Sequence, residues 1–223
     1  MNKEITLCSS KLCPWTHCVE LALIESGVEY KRLEVDWNKK QTWCRLDMNS
    51  EGKPEIPTII YGEIGSQPND PSVQYLQLTN ATVIIEFIVN LTTAEPLLPA
   101  TPKSLKKMHL FIETFTSNFV PTWDAIVSLG HDPSNILPSI EAIQALLPSD
   151  GYAVGQWSVA DAIAAPFLAR TIPCLKNNLV LYRESDKYAR FKRYYVDLTS
   201  RDSFKQTFHE DVNAVITLSP SKL

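Results

Sequence analysis

The sequence predicts an α/β domain followed by an all-α domain. Strand and helix patterns alternate over residues 1–91, whereas only helical patterns occur over residues 103–223. Between them, Pro96, Pro99 and Pro102 crowd a short segment that cannot continue a helix, so we place the domain linker there. With 223 residues, the chain is long enough to bury a large core in one domain or in two.

The chain opens with a strand, a loop and a helix. Residues 5–9 form an apolar run typical of a short strand, and residues 16–26 carry apolar positions over a wide helical face that ends at Gly27. Residues 28–35 alternate apolar and charged side chains, which predicts a second strand. A strand–helix–strand crossover favours a parallel pair, so we expect the two strands to run in the same direction.

The rest of the first domain is predicted to hold a weak helix, two strands and a final helix, at residues 38–49, 58–61, 73–78 and 82–89. The β-branched residues of the last segment favour a strand, but its length and its spacing of apolar residues predict a helix. Ile56-Pro57 stands directly before the third strand and is a candidate for a tight turn with a cis peptide bond.

The second domain is predicted to hold helices at residues 104–119, 139–147, 158–171 and 186–200. The third of these begins with the spacing of an N-terminal capping box, in which Ser158 is followed three residues later by Asp161. Pro166 lies inside the same helix and is expected to bend it.

Cys13 is the best candidate for a reactive group. Pro14 has no N–H and suits the first helical position, so Cys13 becomes the N-cap residue of the first helix. A sulfur at that position faces unpaired backbone N–H groups and the positive end of the helix dipole, both of which favour a thiolate over a thiol. The alternative is a buried, inert cysteine.

Composition excludes several classes of partner. The net charge of −4 and the pI near 5.6 give no basic surface for nucleic acid or an anionic membrane. No apolar run approaches the ~18 residues of a membrane span, and no signal-peptide pattern is present, so we expect a cytoplasmic protein. The five cysteines form no CxxC pair, which fits a reducing compartment, and we expect no metal site.

The layout and its motifs resemble the cytosolic glutathione transferases. Four motifs carry the resemblance in the family's order: Cys13-Pro14-Trp15, Ile56-Pro57, Leu97-Leu98-Pro99 and Ser158-Val159-Ala160-Asp161. The first is similar to the start of helix one in the cysteine-type, omega-like classes. The resemblance implies an N-terminal thioredoxin-like βαβαββα domain that binds glutathione, at residues 1–91, and an all-helical domain that contributes a hydrophobic substrate site, at residues 103–223.

The resemblance also implies a set of glutathione contacts around catalytic Cys13. Ile56, next to Pro57, pairs its backbone N–H and C=O with the cysteinyl part of glutathione, as an added strand does. Asn80 and Ala81 stand where the family usually has an acidic residue or Gln followed by Ser or Thr, so we expect weaker binding of glutathione than in a typical member. Lys53 is a candidate contact for the glycyl carboxylate, with a solvated surface lysine as the alternative.

Trp15, Phe115, Phe119 and Trp123 are candidates to line the substrate site, and for the last three ordinary helix core is the alternative. The implied activity is attack of the glutathione thiolate on a small hydrophobic electrophile, giving conjugation or, through reversible addition, cis–trans isomerisation of an unsaturated carbonyl or polyene in specialised metabolism. One alternative is glutathione-dependent thiol transfer or dehydroascorbate reduction through Cys13. Another is a non-catalytic interaction module. The resemblance implies a homodimer without a metal cofactor.

Other aromatic side chains near these motifs are assigned to structural positions. His17 follows Cys13 by one helical turn and is expected at the surface, with a role as a local proton donor as the alternative. Trp37, Trp43 and Trp157 are expected to pack in the protein interior.

Overall fold

The computed structural model describes residues 3–35, 55–63, 75–92 and 97–208. The chain divides into two units, Met1–Glu95 and Pro96–Leu223, and the division falls within the segment predicted as the linker. Several predicted features lie outside the described residues, namely the helix at 38–49, Trp37, Trp43 and Lys53.

The first unit holds a four-stranded mixed sheet and two described helices. The strands are β1 (Lys3–Ser9), β2 (Tyr30–Glu34), β3 (Thr58–Glu63) and β4 (Leu76–Thr79), and the helices are α1 (Pro14–Glu25) and α2 (Ala81–Leu91). The strand order is β2-β1-β3-β4. β1 is parallel to β2, as the crossover predicts, and β3 is antiparallel to both of its neighbours. The predicted α/β class of this unit is therefore confirmed.

Helix α1 has the predicted ends. Cys13 is its N-cap residue and Pro14 occupies its first turn, while Gly27, at φ 64°, lies just beyond its C-cap. The N–H of Gly27 donates to the carbonyl oxygen of Ile24 at 3.0 Å. All side chains from residue 16 to residue 23 are buried, including His17, which is 3% exposed. The expected surface position of His17 is wrong, because this helix is covered on every side and not only on its apolar face.

The second unit is helical. Its helices are α3 (Pro102–Thr114), a π-helix (Phe115–Phe119), α4 (Val120–Leu129), a 3₁₀ turn (Pro133–Ile136), α5 (Leu137–Leu146), α6 (Val159–Asn178), α7 (Val180–Glu184), a 3₁₀ turn (Asp186–Tyr188), α8 (Ala189–Thr199) and α9 (Asp202–Thr207). Within its described residues, the β pairing consists of isolated bridges in the loop at 152–156. No helix in the described part of the chain is both long and apolar enough to cross a membrane.

The predicted helix at 104–119 differs from the structure in its second half. Its last residues form the π-helix, and α4 follows without a break, so the helical path continues past Pro121. Proline has no N–H to donate to the preceding turn, and a widened turn accommodates that loss. In the same stretch, the Asn118 carbonyl oxygen accepts from the hydroxyls of Thr122 at 2.7 Å and Ser139 at 3.3 Å.

An aromatic cluster forms the core of the helical unit. Phe115 stacks on Phe119 with ring centroids 4.8 Å apart and contacts Phe167 edge-on at 5.9 Å. Phe111 lies next in the row, 6.2 Å from Phe115, and meets the ring of Tyr194 edge-on at 6.0 Å. All five side chains are at most 2% exposed. Their packing connects α3, the π-helix, α6 and α8 in one apolar layer.

The predicted capping box at the start of α6 is confirmed. The Asp161 carboxylate accepts from the backbone N–H and the hydroxyl of Ser158, both at 2.9 Å. It also accepts from the Ala153 N–H and from the Tyr194 hydroxyl, both at 2.8 Å. Asp161 is fully buried, and burial raises its pKa to about 6 although all four hydrogen bonds oppose that shift. The group therefore joins α6, α8 and the 152–156 loop.

Candidate active site

Three segments of the first unit meet at one edge of the sheet. Cys8, near the end of β1, pairs with Thr58, at the start of β3. Thr58 in turn pairs with Thr79, at the end of β4. The loop that leads to Cys13, the turn at Ile56-Pro57 and the start of α2 therefore leave or enter the sheet at the same edge. Segments that the sequence spreads over about 70 residues become neighbours here.

Cys13 lies at the end of a tight loop. Its N–H donates to the Ser10 carbonyl at 3.0 Å, and its own carbonyl accepts from the His17 N–H at 3.3 Å, which is the first hydrogen bond along α1. Cys13 is partly exposed and its thiol is free. No side chain caps α1. The N–H groups of a first helical turn have no partners within the helix, so this turn favours a negatively charged group at its end.

The other described cysteines differ from Cys13. Cys8 and Cys18 are buried, and the Cys18 thiol donates to the Pro14 carbonyl at 3.2 Å. Cys174 is half-buried on α6, where desolvation raises its pKa. None of these four cysteines forms a disulfide, and Cys44 lies outside the described part of the chain. Of these four, Cys13 is the one placed at a helix N-terminus.

The predicted cis peptide bond between Ile56 and Pro57 is confirmed. Ile56 packs against a small apolar cluster of Cys8, Val35 and Ile60. This contact anchors the turn on the end of the sheet from which the Cys13 loop departs.

The start of α2 has an unusual N-cap. Asn80 has φ 69° and ψ 116°, a backbone conformation that few residues other than glycine adopt. Its side-chain oxygen accepts from the Thr82 N–H at 3.0 Å, as an N-cap residue does. Ala81 is buried, at 5% exposure. The site therefore offers a helix N-terminus and a neutral amide at the position where the family usually has an acidic residue or Gln followed by Ser or Thr.

The predicted substrate-contact residues occupy different environments. Trp15 is partly exposed in the first turn of α1, two residues from Cys13. Phe115 and Phe119 are fully buried in the aromatic cluster of the helical unit, and Trp123 is 7% exposed on α4. Packing accounts for the two phenylalanines. Trp157 also packs as predicted, with the Arg201 guanidinium 4.4 Å above its ring.

Sequence reasoning missed the polar residues that surround the loop before Cys13. Arg32 and Glu34 at the end of β2 bond to Ser9, to Glu20 and to the backbone of Lys11. In the sequence, the charged residues of β2 indicated only which side of the strand faces solvent, and they gave no sign of these partners. A search of the described residues for groups of three or more metal-ligating side chains finds none.

A sheet of order β2-β1-β3-β4, with a cysteine at the start of α1 and a separate helical unit, defines a thioredoxin-like two-unit protein. Searches among protein-family models and among curated proteins return no match.

Solved structures do match. The glutathione transferase Omega 1C from Trametes versicolor is 32% identical over 97% of this chain and 96% of its own, with a TM-score of 0.86. The Omega 2S enzyme from the same organism, in complex with 2,4-dihydroxybenzophenone, is 27% identical over 97% and 99%, with a TM-score of 0.85. A maleylacetoacetate isomerase from Anaeromyxobacter dehalogenans with bound glutathione shares the fold, at 18% identity and a TM-score of 0.69, over 92% of this chain and 95% of its own. The chain belongs to the cytosolic glutathione transferase superfamily and is omega-like.

Proposed function

We propose that this protein is a glutathione-dependent enzyme that binds glutathione along the sheet edge formed by the Cys13 loop, the Ile56-Pro57 turn and the start of α2. The observation that carries the proposal is the register from Cys8 to Thr58 to Thr79, which gathers these segments at one edge. Membership of the glutathione transferase superfamily supports the same ligand.

The edge suits a tripeptide with a thiol and two carboxylates. The backbone of Ile56 pairs with the cysteinyl part of the ligand in the manner of an added strand. The N-terminus of α2 receives the γ-glutamyl carboxylate through backbone N–H groups. Lys53 is the candidate for the glycyl carboxylate. These contacts place the ligand sulfur beside Cys13.

The Asn80 side chain limits the affinity. Its oxygen already accepts from the Thr82 N–H, and a neutral amide makes a weaker bond to the ligand amine than a carboxylate does. Ala81 adds no hydroxyl. We therefore propose that glutathione binds more weakly than it does to a member with an acidic residue followed by Ser.

The favoured reaction is addition of the glutathione thiolate to a small hydrophobic electrophile. In an unsaturated carbonyl compound, a carbon–sulfur bond forms at the β-carbon, the π electrons move to the carbonyl oxygen, and a proton completes the conjugate. If the enolate does not take up that proton, the former carbon–carbon double bond is a single bond and can rotate. Departure of the thiolate then gives the geometric isomer and regenerates glutathione. The aromatic ketone bound by the similar Omega 2S enzyme supports a hydrophobic carbonyl compound as the substrate. Trp15, partly exposed beside Cys13, is the candidate substrate contact in the first unit.

Thiol transfer is the second candidate, and the partly exposed free thiol of Cys13 favours it. The Cys13 thiolate attacks the glutathionyl sulfur of a mixed disulfide, the sulfur–sulfur bond breaks, and the substrate leaves as a thiolate. A second glutathione thiolate then attacks the Cys13–glutathione disulfide, which releases Cys13 and oxidised glutathione. Electrons and protons balance without any further reductant.

Retention on immobilised glutathione, with elution by free glutathione, tests the binding step. Binding supports both enzymatic candidates. Complete absence of binding to millimolar glutathione would reject both and leave the interaction module.

Substitution of Cys13 separates the two reactions. We expect Cys13→Ser to abolish reduction of a glutathione mixed disulfide, because a hydroxyl cannot form the intermediate disulfide. Addition to an unsaturated carbonyl compound should persist at a reduced rate. Cys174→Ser is the matched control, since Cys174 is a half-buried cysteine on α6, away from the helix N-terminus that Cys13 occupies. Mass spectrometry distinguishes conjugates, which gain the mass of glutathione, from isomers of unchanged mass.

The weak-binding proposal has its own test. The double substitution Asn80→Glu with Ala81→Ser restores a charge and a hydroxyl at the start of α2. A charge-assisted hydrogen bond contributes roughly 1.5 to 3 kcal/mol, so the dissociation constant measured by calorimetry should fall by about tenfold or more. An unchanged constant would show that this end of the ligand lies elsewhere.

Assembly and cellular context rest on family membership alone. We propose a cytoplasmic homodimer that acts on a substrate of specialised metabolism. Light scattering of the purified chain tests the dimer, for which a mass of about twice 25.1 kDa is expected.

A further inference from the structure

The loop that delivers Cys13 is tied to the end of β2. The Glu34 carboxylate accepts from the Lys11 N–H at 2.8 Å, two residues before Cys13. One residue further along, the Val35 N–H donates to the Ser9 carbonyl at 2.7 Å, and within the loop the Cys13 N–H donates to Ser10. The β2 end therefore contacts the chain at two points just before the reactive cysteine.

Arg32 links this carboxylate to two other elements. Its guanidinium donates to the Ser9 hydroxyl at 2.8 Å, pairs with Glu34 at 3.0 Å and pairs with Glu20 at 3.2 Å. Ser9 is the last residue of β1, and Glu20 is a buried residue of α1 with 4% side-chain exposure. The planar guanidinium presents its donors in a fixed geometry, so one side chain sets the relative positions of the strand, the helix and the loop between them.

We infer that Arg32 and Glu34 are positioning residues that hold Cys13 at the N-cap of α1. The inference rests on the proposed function in one respect, that Cys13 is the reactive group. The contacts described above join the two side chains to each other and to Ser9, Lys11 and Glu20. Their contribution is the geometry of residues 9–13, on which the stabilisation of a Cys13 thiolate by the first helical turn depends.

Glu34 is the better residue to substitute. Its side chain is 45% exposed, so its removal leaves no buried charge, whereas removal of Arg32 takes a charged partner from the buried Glu20. Glu34→Gln keeps an oxygen that can accept from Lys11, and Glu34→Ala removes it. Glu29→Ala is the control for loss of one exposed negative charge next to the same strand.

The readout is the rate of Cys13 alkylation by iodoacetamide between pH 5 and pH 10, followed by peptide mass spectrometry. For Glu34→Ala we expect a rate about two- to fivefold lower at pH 7, the range that one helix terminus supplies to a charged group, with the plateau at high pH unchanged. Glu34→Gln and Glu29→Ala should match the unmodified protein. In hydrogen exchange, the Lys11 amide should exchange faster in Glu34→Ala than in Glu34→Gln.

Three results would overturn the inference: equal rates for Glu34→Ala and the unmodified protein, equal losses in Glu34→Gln and Glu34→Ala, or a loss that is the same at every pH. Alkylation requires no glutathione. If the protein fails to bind glutathione while the Glu34 variants behave as expected, the proposed function falls and the positioning role stands. If glutathione turnover is observed and the Glu34 variants are unaffected, the positioning role falls alone.

Discussion

Replacement of Asp161 by Asn tests the account of the α6 capping box. The carboxylate accepts four hydrogen bonds, two from backbone N–H groups and two from hydroxyls. Each carboxylate oxygen receives one of each kind. If the NH₂ group replaces Oδ1, the Tyr194 hydroxyl can rotate and accept from it, but the Ala153 N–H then faces another donor. If the NH₂ group replaces Oδ2, the Ser158 hydroxyl can rotate in the same way, but the Ser158 N–H faces the donor.

One buried N–H therefore loses its acceptor in Asp161→Asn. Such a loss costs about 1 to 3 kcal/mol, and we expect the free energy of unfolding to fall by that amount at pH 7. Denaturant titration followed by tryptophan fluorescence measures it. Asp202→Asn is the control, because the side chain of Asp202 is 91% exposed, and a change within about 0.5 kcal/mol is expected there.

The same pair of proteins reports the charge state of Asp161. Burial raises its pKa from 3.8 to about 6, so the folded state binds the proton more tightly than the unfolded state does. Stability from this group is then greatest at low pH and is lost as pH rises from about 4 to about 6. Relative to Asp161→Asn, the unmodified protein should gain about 2 kcal/mol between pH 7 and pH 4. A difference that is constant with pH, or that shrinks on acidification, would refute the raised pKa.

Three further predictions follow from packing and backbone geometry. Phe115→Leu should cost about 1 to 3 kcal/mol of stability and leave the KM for a hydrophobic electrophile unchanged, whereas a raised KM at unchanged stability would place this ring in the substrate site. Arg32→Met removes a charged partner of the buried Glu20 carboxylate and should cost about 1.5 to 3 kcal/mol in a denaturant titration, with a loss under 1 kcal/mol contradicting a stabilising pair. Asn80→Ala should be less stable than Asn80→Gly by about 1 kcal/mol, because glycine tolerates the positive φ, and the opposite order would argue against that backbone conformation.

The features that the sequence predicted correctly depend on residues close together in the chain. Pro14 makes Cys13 an N-cap residue through its own missing N–H, and Ser158 and Asp161 form a capping box three residues apart. The cis bond at Ile56-Pro57 is likewise a property of two adjacent residues and a following strand. Such local features predict the structure correctly because contacts with distant residues seldom override them.

The features that sequence reasoning missed depend on tertiary contacts. Nothing local indicates that the Asn118 carbonyl accepts from the hydroxyl of Ser139 on another helix, or that the chain stays helical past Pro121. Likewise, Arg32 and Glu34 look like the exposed face of a strand until β1 and α1 bring Ser9 and Glu20 against them. In each of these contacts the two residues are 12 or more positions apart in the chain, so no periodic pattern of the sequence predicts that they meet.

The helix starts in the described part of the chain bear on the proposal that Cys13 is the reactive position. Helices α2 and α3 begin at capping side chains, Asn80 and Thr101, and α6 begins at the Ser158–Asp161 box. Helices α4, α5 and α8 follow directly from preceding helical turns. Helix α1 begins from an extended residue without a side-chain cap, as the short helices α7 and α9 do, but its N-cap residue is a cysteine whereas theirs are Leu179 and Arg201. We infer that the Arg32–Glu34 cluster holds the loop before Cys13, while the first turn of α1, which has no side-chain cap, stays available to a negatively charged group.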